Sequence, residues 1–324
     1  MADSPPPLPE IGPRTLHRVD WKPVQPPQPE PKLGLHVGLF LLTCGTTFLS
    51  HFGTEPPWSW WEAAKNGLWY ALPLMTILLC HESGHFFMCR RYGVPATLPY
   101  FIPIPPGVSL FGTLGAVIKM RGYMPTKKAI FDIGAAGPLF GFVLCLPCVA
   151  IGLAMSEVKV LTPETETFWQ LGEPLIFKFF SKWIVGELPD NADIFLHPLA
   201  FAGWAGIFVT GLNLIPLGQL DGGHVLYALF GERANRFYRI GLILFLLVAA
   251  LWFLPYLLFG VLLTLFGRRH PPAFDNGTPI GRGRTVLAFV MICIFLLSFT
   301  LKPISIPGST HGLLDLLFRT VGHA

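Results

Sequence analysis

Between Tyr238 and Phe266 almost thirty consecutive residues carry a single charge, Arg239, and Pro255 interrupts the run near its middle. Few folds accommodate such a stretch. In hydrocarbon every unpaired backbone amide or carbonyl is costly, and helices satisfy those groups within themselves. The run is longer than the ~20 residues that one spanning helix needs, and proline breaks helical hydrogen bonding. It therefore predicts two shortened helices in a tight hairpin, with a single long tilted helix as the alternative.

The rest of the chain has the same character. Hydrophobic residues make up 52% of it and charged residues 13%, against about 25% charged in soluble proteins. Further spans are predicted at about Leu33–Ser50, Gly67–Met88, Ile130–Met155, Leu196–Ile215 and Thr285–Leu301. With the hairpin this gives an all-α polytopic membrane protein of about seven transmembrane helices, within a range of six to eight. The basic clusters Arg90–Arg91, Lys119–Lys128, Arg233–Arg239 and Arg268–Arg269 then fall on one side, and the acidic loop 156–195 on the other. By the positive-inside rule the basic side, and with it the N-terminus, is cytoplasmic. The net charge of +4 thus reads as topology and gives no case for nucleic-acid binding. No phosphate-cradling glycine loop appears, so no nucleotide cofactor is expected.

Three regions are expected. Residues 1–32 carry ten prolines and read as a disordered or polyproline arm, without the apolar core of a signal peptide. Residues 33–302 form the transmembrane domain, and 303–324 a short tail. Within the domain, Trp58, Trp60 and Trp61 suit an interfacial aromatic loop. Residues 94–125 are expected to hold a small membrane-associated strand or hairpin, because Phe111–Lys119 is too short to span as a helix and is broken by Gly112 and Gly115. The six cysteines show no disulfide pattern, and Cys145 and Cys148 read as packing residues.

Against this background His81-Glu82-Ser83-Gly84-His85 is costly, since ionisable groups inside a membrane segment usually mark a site with partners. On a helix the two imidazoles of H-E-x-x-H sit about one turn apart and can reach one metal, while the glutamate between them faces a water. Counted from Gly67 at about 1.5 Å per residue, His81 lies roughly 21 Å into a core about 30 Å thick. That depth is near the cytoplasmic surface. A catalytic zinc asks for three protein ligands and an open position. Asp221, in NLIPLGQLDGGH at residues 213–224, has a matching depth, and Pro216, Gly218, Gly222 and Gly223 would let the backbone turn its carboxylate inward. The plainer reading makes Asp221 a helix cap.

HESGH, then Gly137-Pro-Leu-Phe-Gly141, then NLIPLGQLDGG, in that order, resemble the site-2 protease family of intramembrane metalloproteases. PYFIPIP, FGTLGAVIKM and TKKAIFDIGAAGP are further similar to its cyanobacterial and plastid members. The resemblance implies one catalytic Zn2+ held by His81, His85 and Asp221, with Glu82 as general base and Asn213 holding the substrate backbone or polarising its carbonyl. It implies transmembrane protein substrates and a setting in the lipid bilayer, hence regulated intramembrane proteolysis. Gly141 stands where many members have Asn, so Gly137 and Gly141 read as a small-residue packing face that could also contact substrate. The PDZ and nucleotide-sensing domains of other branches are not expected.

Two other classes stay open at this point. A transmembrane metal transporter could use intramembrane His and Asp, and an inactive scaffold could keep the fold. His224 reads as a residue beside the site, and His36, His51, His197, His270, His311 and His323 as wet, satisfied rings near segment ends.

Overall fold

A computed structural model describes residues 25–52, 59–161, 170–189, 191–266, 273–305 and 313. Most of the proline-rich arm and the tail, together with Trp58, Arg268, Arg269, His270, His311 and His323, lie outside these residues. The described chain is mostly helical. Its main helices are α1 (Leu33–Ser50), α2 (Trp60–Arg91), α3 (Lys127–Ala154), α4 (Leu175–Ile184), α5 (Pro198–Asn213), α6 (Asp221–Phe230), α7 (Ala234–Trp252), α8 (Pro255–Phe266) and α9 (Arg282–Ser298).

Among the described residues three helical runs are long and apolar enough to cross a membrane, namely Leu33–Ser50, Lys127–Ala154 and Asp221–Trp252. The last is interrupted at Gly231, which adopts φ 59. α5, at 16 residues, and α9, at 17, are shorter. The apolar run around Pro255 divides as its sequence predicts: α7 ends at Trp252 and α8 starts at Pro255. The two pack together through Phe245 against Tyr256 and Phe259.

α1 shows why this is a membrane protein. It buries His36, Thr43 and Thr47 and turns Leu35, Leu41, Leu42 and Leu49 outward, the reverse of a helix in a water-soluble protein. α2 begins seven residues earlier than the sequence predicts, because the Ser59 hydroxyl accepts the Glu62 amide (3.2 Å) and caps it. Trp60 and Trp61 are therefore helical and not part of a loop. The core forms where α2, α3 and α5 meet, around Ile77, Phe131, Val149, Trp204 and Ile207.

Residues 94–125 hold the expected hairpin, β1 (Tyr100–Pro103) antiparallel to β2 (Thr113–Val117), with Tyr100 opposite Val117 and Phe101 opposite Ala116. It runs alongside α1. Near its open end His36 Nδ1 donates to the Pro99 carbonyl (3.0 Å), and near its tip the Thr46 hydroxyl donates to the Gly112 carbonyl (2.7 Å). Ten residues of α1 separate those anchors, about 15 Å. Gly112, at φ +69, lies so close to Thr46 and Ser50 that a Cβ there would strike them at 2.5 Å. On the other side the Tyr70 hydroxyl of α2 donates to the Phe111 carbonyl (3.1 Å). The hairpin is thus anchored by helices on two sides, while Leu114 and Val117 of β2 remain exposed. His36 is satisfied as expected, but it is buried rather than wet.

The acidic region 156–195 contains more than a loop. β3 (Glu157–Val160) pairs antiparallel with β5 (Ala192–Phe195), and β4 (Gln170–Leu171) pairs with β6 (Ile304–Ser305). α4 lies between them. Its apolar residues at helical spacing lie among acidic residues and lysines that give the stretch the composition of a loop.

Candidate metal centre

The site is assembled from four helices, α2, α3, α5 and α6. His81 and His85 project from α2 one turn apart, 5% and 7% exposed, with their Nε2 atoms 3.2 Å from each other. Asp221 is the first residue of α6. Its Oδ2 lies 3.3 Å from His81 Nε2, and its Oδ1 3.3 Å from His85 Nε2. Among the described residues these three form the group of metal-ligating side chains close enough to share an ion.

The donor set fits zinc on its own geometry. Tetrahedral bonds of about 2.0–2.1 Å place neighbouring ligand atoms about 3.3 Å apart, close to the 3.2 Å between the two imidazole nitrogens and the 3.3 Å from each of them to a different oxygen of Asp221. The protonation pattern agrees. His85 Nδ1 sits 2.7 Å from the Ile133 carbonyl of α3, which can only accept, so a proton is on Nδ1 and Nε2 is the ring nitrogen turned to the centre.

The local sequence explains why Asp221 faces inward. The chain turns between α5 and α6 through Gly218 (φ 56). Gly222 and Gly223 then press against the main chain of Leu214 and Gly218, where a Cβ would collide with carbonyl oxygens. The first turn of α6 folds under the end of α5 and carries the carboxylate to α2. Its N-cap is Leu220, so Asp221 does not cap the helix by its side chain.

α3 supplies the wall. A Cβ on Gly137 would overlap the His85 ring at Nε2, one on Gly141 would meet His81 Cβ and Nδ1 at 3.2 Å, and one on Gly134 would meet His224 Cβ at 2.5 Å. Three glycines at i, i+3 and i+7 therefore form a groove in which the imidazoles rest. Gly137 and Gly141 thus face the two ring side chains of α2, and Gly134 extends the row to His224.

Glu82 is buried on α2 at 6% exposure. Its carboxylate lies near both imidazoles and Asp221, and the main chain of Ile118, just past the end of β2, comes close to it. Asn213, the last residue of α5, brings its amide Nδ2 to 3.2 Å from His81 Nε2. His224 is buried beside the site, its Nδ1 donating to the Leu220 carbonyl (2.9 Å). Sequence reasoning missed a clamp nearby. Arg284 at the start of α9 contacts both Asp132 oxygens at 2.7 Å, and Tyr92 hydrogen-bonds to the same carboxylate. A lone acid in the apolar run AIFDIGAAGP was the available signal.

Comparison with known proteins places the chain. Residues 69–254, well over half of it, match the family described as Peptidase family M50, and the chain belongs to that family. This is the site-2 protease family that its motifs resemble. Among its relatives is the "Probable zinc metalloprotease EGY1, chloroplastic" of Oryza sativa subsp. japonica, 31% identical over 74% of this chain and 41% of that protein. The EGY1 of Arabidopsis thaliana is 32% identical over 72% of this chain and 43% of that protein. The Arabidopsis "Probable zinc metallopeptidase EGY3, chloroplastic" is 26% identical over 81% and 48%. The chain spans less than half the length of these relatives. No solved structure matches it.

Proposed function

We propose that this chain is a zinc-dependent intramembrane metalloendopeptidase that hydrolyses peptide bonds within or near transmembrane segments of other proteins. The observation that carries this reading is the triangle of two imidazole nitrogens and one carboxylate with edges of 3.2–3.3 Å, set beside a buried glutamate. His81, His85 and Asp221 hold the ion, and Glu82 is the general base. We also retain the seven-span architecture, the cytoplasmic siting of the centre and the three-region organisation as parts of the proposal.

Held by His81, His85 and Asp221, zinc would polarise a peptide carbonyl and acidify a water. The protein's own groups do the rest. Glu82 accepts a proton from the attacking water as the oxygen bonds to the carbonyl carbon. It returns that proton to the amide nitrogen as the C–N bond breaks, giving a carboxylic acid and an amine, and the acid's proton then passes to the amine to leave a carboxylate and an ammonium. Asn213, at the end of α5, donates to the substrate main chain. Ile133 holds His85 in one tautomer and one orientation.

A transmembrane helix keeps its carbonyls in internal hydrogen bonds, so a substrate must be unwound before attack. β2 suits that step, since it leads into Ile118, whose main chain meets Glu82. An extended substrate segment that adds to β2 lies over the centre by main-chain hydrogen bonds that tolerate many side chains. The test is reconstitution in vesicles with a single-span substrate. Wild type cuts the substrate and Glu82→Gln does not. Zinc flux across the vesicle without cleavage would instead identify a transporter.

A further inference from the structure

α4 carries three large apolar side chains in the open. Leu175 is 58% exposed, Phe179 61% and Trp183 72%, and their spacing of four residues sets them in one stripe. The opposite face is committed to the protein, with Phe177 and Ser181 buried and Ile176, Phe180 and Ile184 packed against the core. At about 100° per residue the exposed half has two margins. Lys178 and Lys182 form one, Phe179 and Trp183 the other, and Leu175 lies between them.

The helix is fixed in place. Just before it, β4 pairs with β6, the Gly172 carbonyl accepts Trp204 Nε1 (2.8 Å), and the Gly172 amide donates to the Pro303 carbonyl (2.8 Å). Trp204 belongs to the level of α5 where Gly203 meets Cys148 and Val149 of α3. α4 is therefore held near the end of α3 remote from Ile133. At that end α3 exposes Ile151 and Met155, and α9 exposes Leu296, so the stripe borders the outward-facing apolar surface of the bundle.

We propose that α4 is an interfacial helix whose partner is the lipid bilayer, on the side of the membrane opposite the metal centre. Phe179 and Trp183 reach into the acyl region, and Lys178 and Lys182 meet anionic headgroups. The separation of lysines from aromatics favours lipid over a protein partner, because it matches the amphipathic order of the interface itself. Lysine stems can lie along apolar surface with the ammonium in the headgroup layer. Lys182 also contacts Glu187 at 2.9 Å across an exposed pair, which leaves its remaining donors available.

The experiment uses the whole chain with its native cysteines replaced, in vesicles of phosphatidylcholine and phosphatidylglycerol. Nitroxide labels are attached in turn through Lys178→Cys, Phe179→Cys, Lys182→Cys and Trp183→Cys, and retained zinc content serves as the check on folding. Labels at 179 and 183 should collide several-fold more with oxygen than with a water-soluble nickel chelate, relative to labels at 178 and 182. Equal ratios at all four positions would overturn the proposal. So would protection of 179 and 183 from both quenchers, which would mean that protein covers the stripe.

Discussion

Arg284 holds Asp132 through two nitrogen–oxygen contacts of 2.7 Å, and the residue after Asp132 is Ile133, whose carbonyl receives the His85 proton. The clamp joins α9 to α3 one residue from the carbonyl that holds His85, a proposed zinc ligand. The pair is partly exposed, so Arg284→Ala should cost about 1 kcal/mol, toward the upper end for surface ion pairs because the contact is bidentate. Thermal unfolding in detergent checks that cost. Zinc affinity, measured by competition with a chelator, should fall with it. Unchanged affinity would show that the clamp stops at α9 and does not reach His85.

The glycine groove makes a graded prediction. Gly137→Ala puts a methyl group into the His85 ring, whereas Gly141→Ala brings one only to 3.2 Å from His81. Gly137→Ala should lose zinc and cleavage together, and Gly141→Ala should keep most of both. Metal content of the two purified variants decides it. Equal retention in both would mean that α3 can withdraw from α2 at little cost.

Proline in the hairpin separates substrate binding from metal binding. Ile118→Pro removes the main-chain donor facing Glu82, and Ala116→Pro removes another backbone N–H from β2. Each should impair cleavage of a transmembrane substrate while zinc content stays at the wild-type level. Wild-type cleavage by both variants would reduce the hairpin to a connector.

What the sequence made legible follows from range. The His81–His85 pair depends on spacing within one helix, and the α7–α8 hairpin on one proline, so both can be read from a few neighbouring residues. Asp221 needed the glycines and proline around it, and the order of motifs, to stand out from an ordinary helix start. The Ile133 carbonyl could not be read, since every residue has one and only tertiary packing selects it. Asp132 and Arg284 are 152 positions apart, and the neighbours of neither one point to the other. α4 was hidden because lysines and acids around it drew attention to charge rather than to apolar residues four apart.

Zinc content of Asp221→Ala, compared with wild type and Glu82→Gln, tests the central claim most directly. Three protein ligands complete a catalytic zinc site, and the general base is not one of them. Wild type and Glu82→Gln should each bind about one zinc per chain, with cleavage present only in the former, and Asp221→Ala should bind none. About one zinc per chain in Asp221→Ala would contradict the ligand set, and with it the metal centre as described.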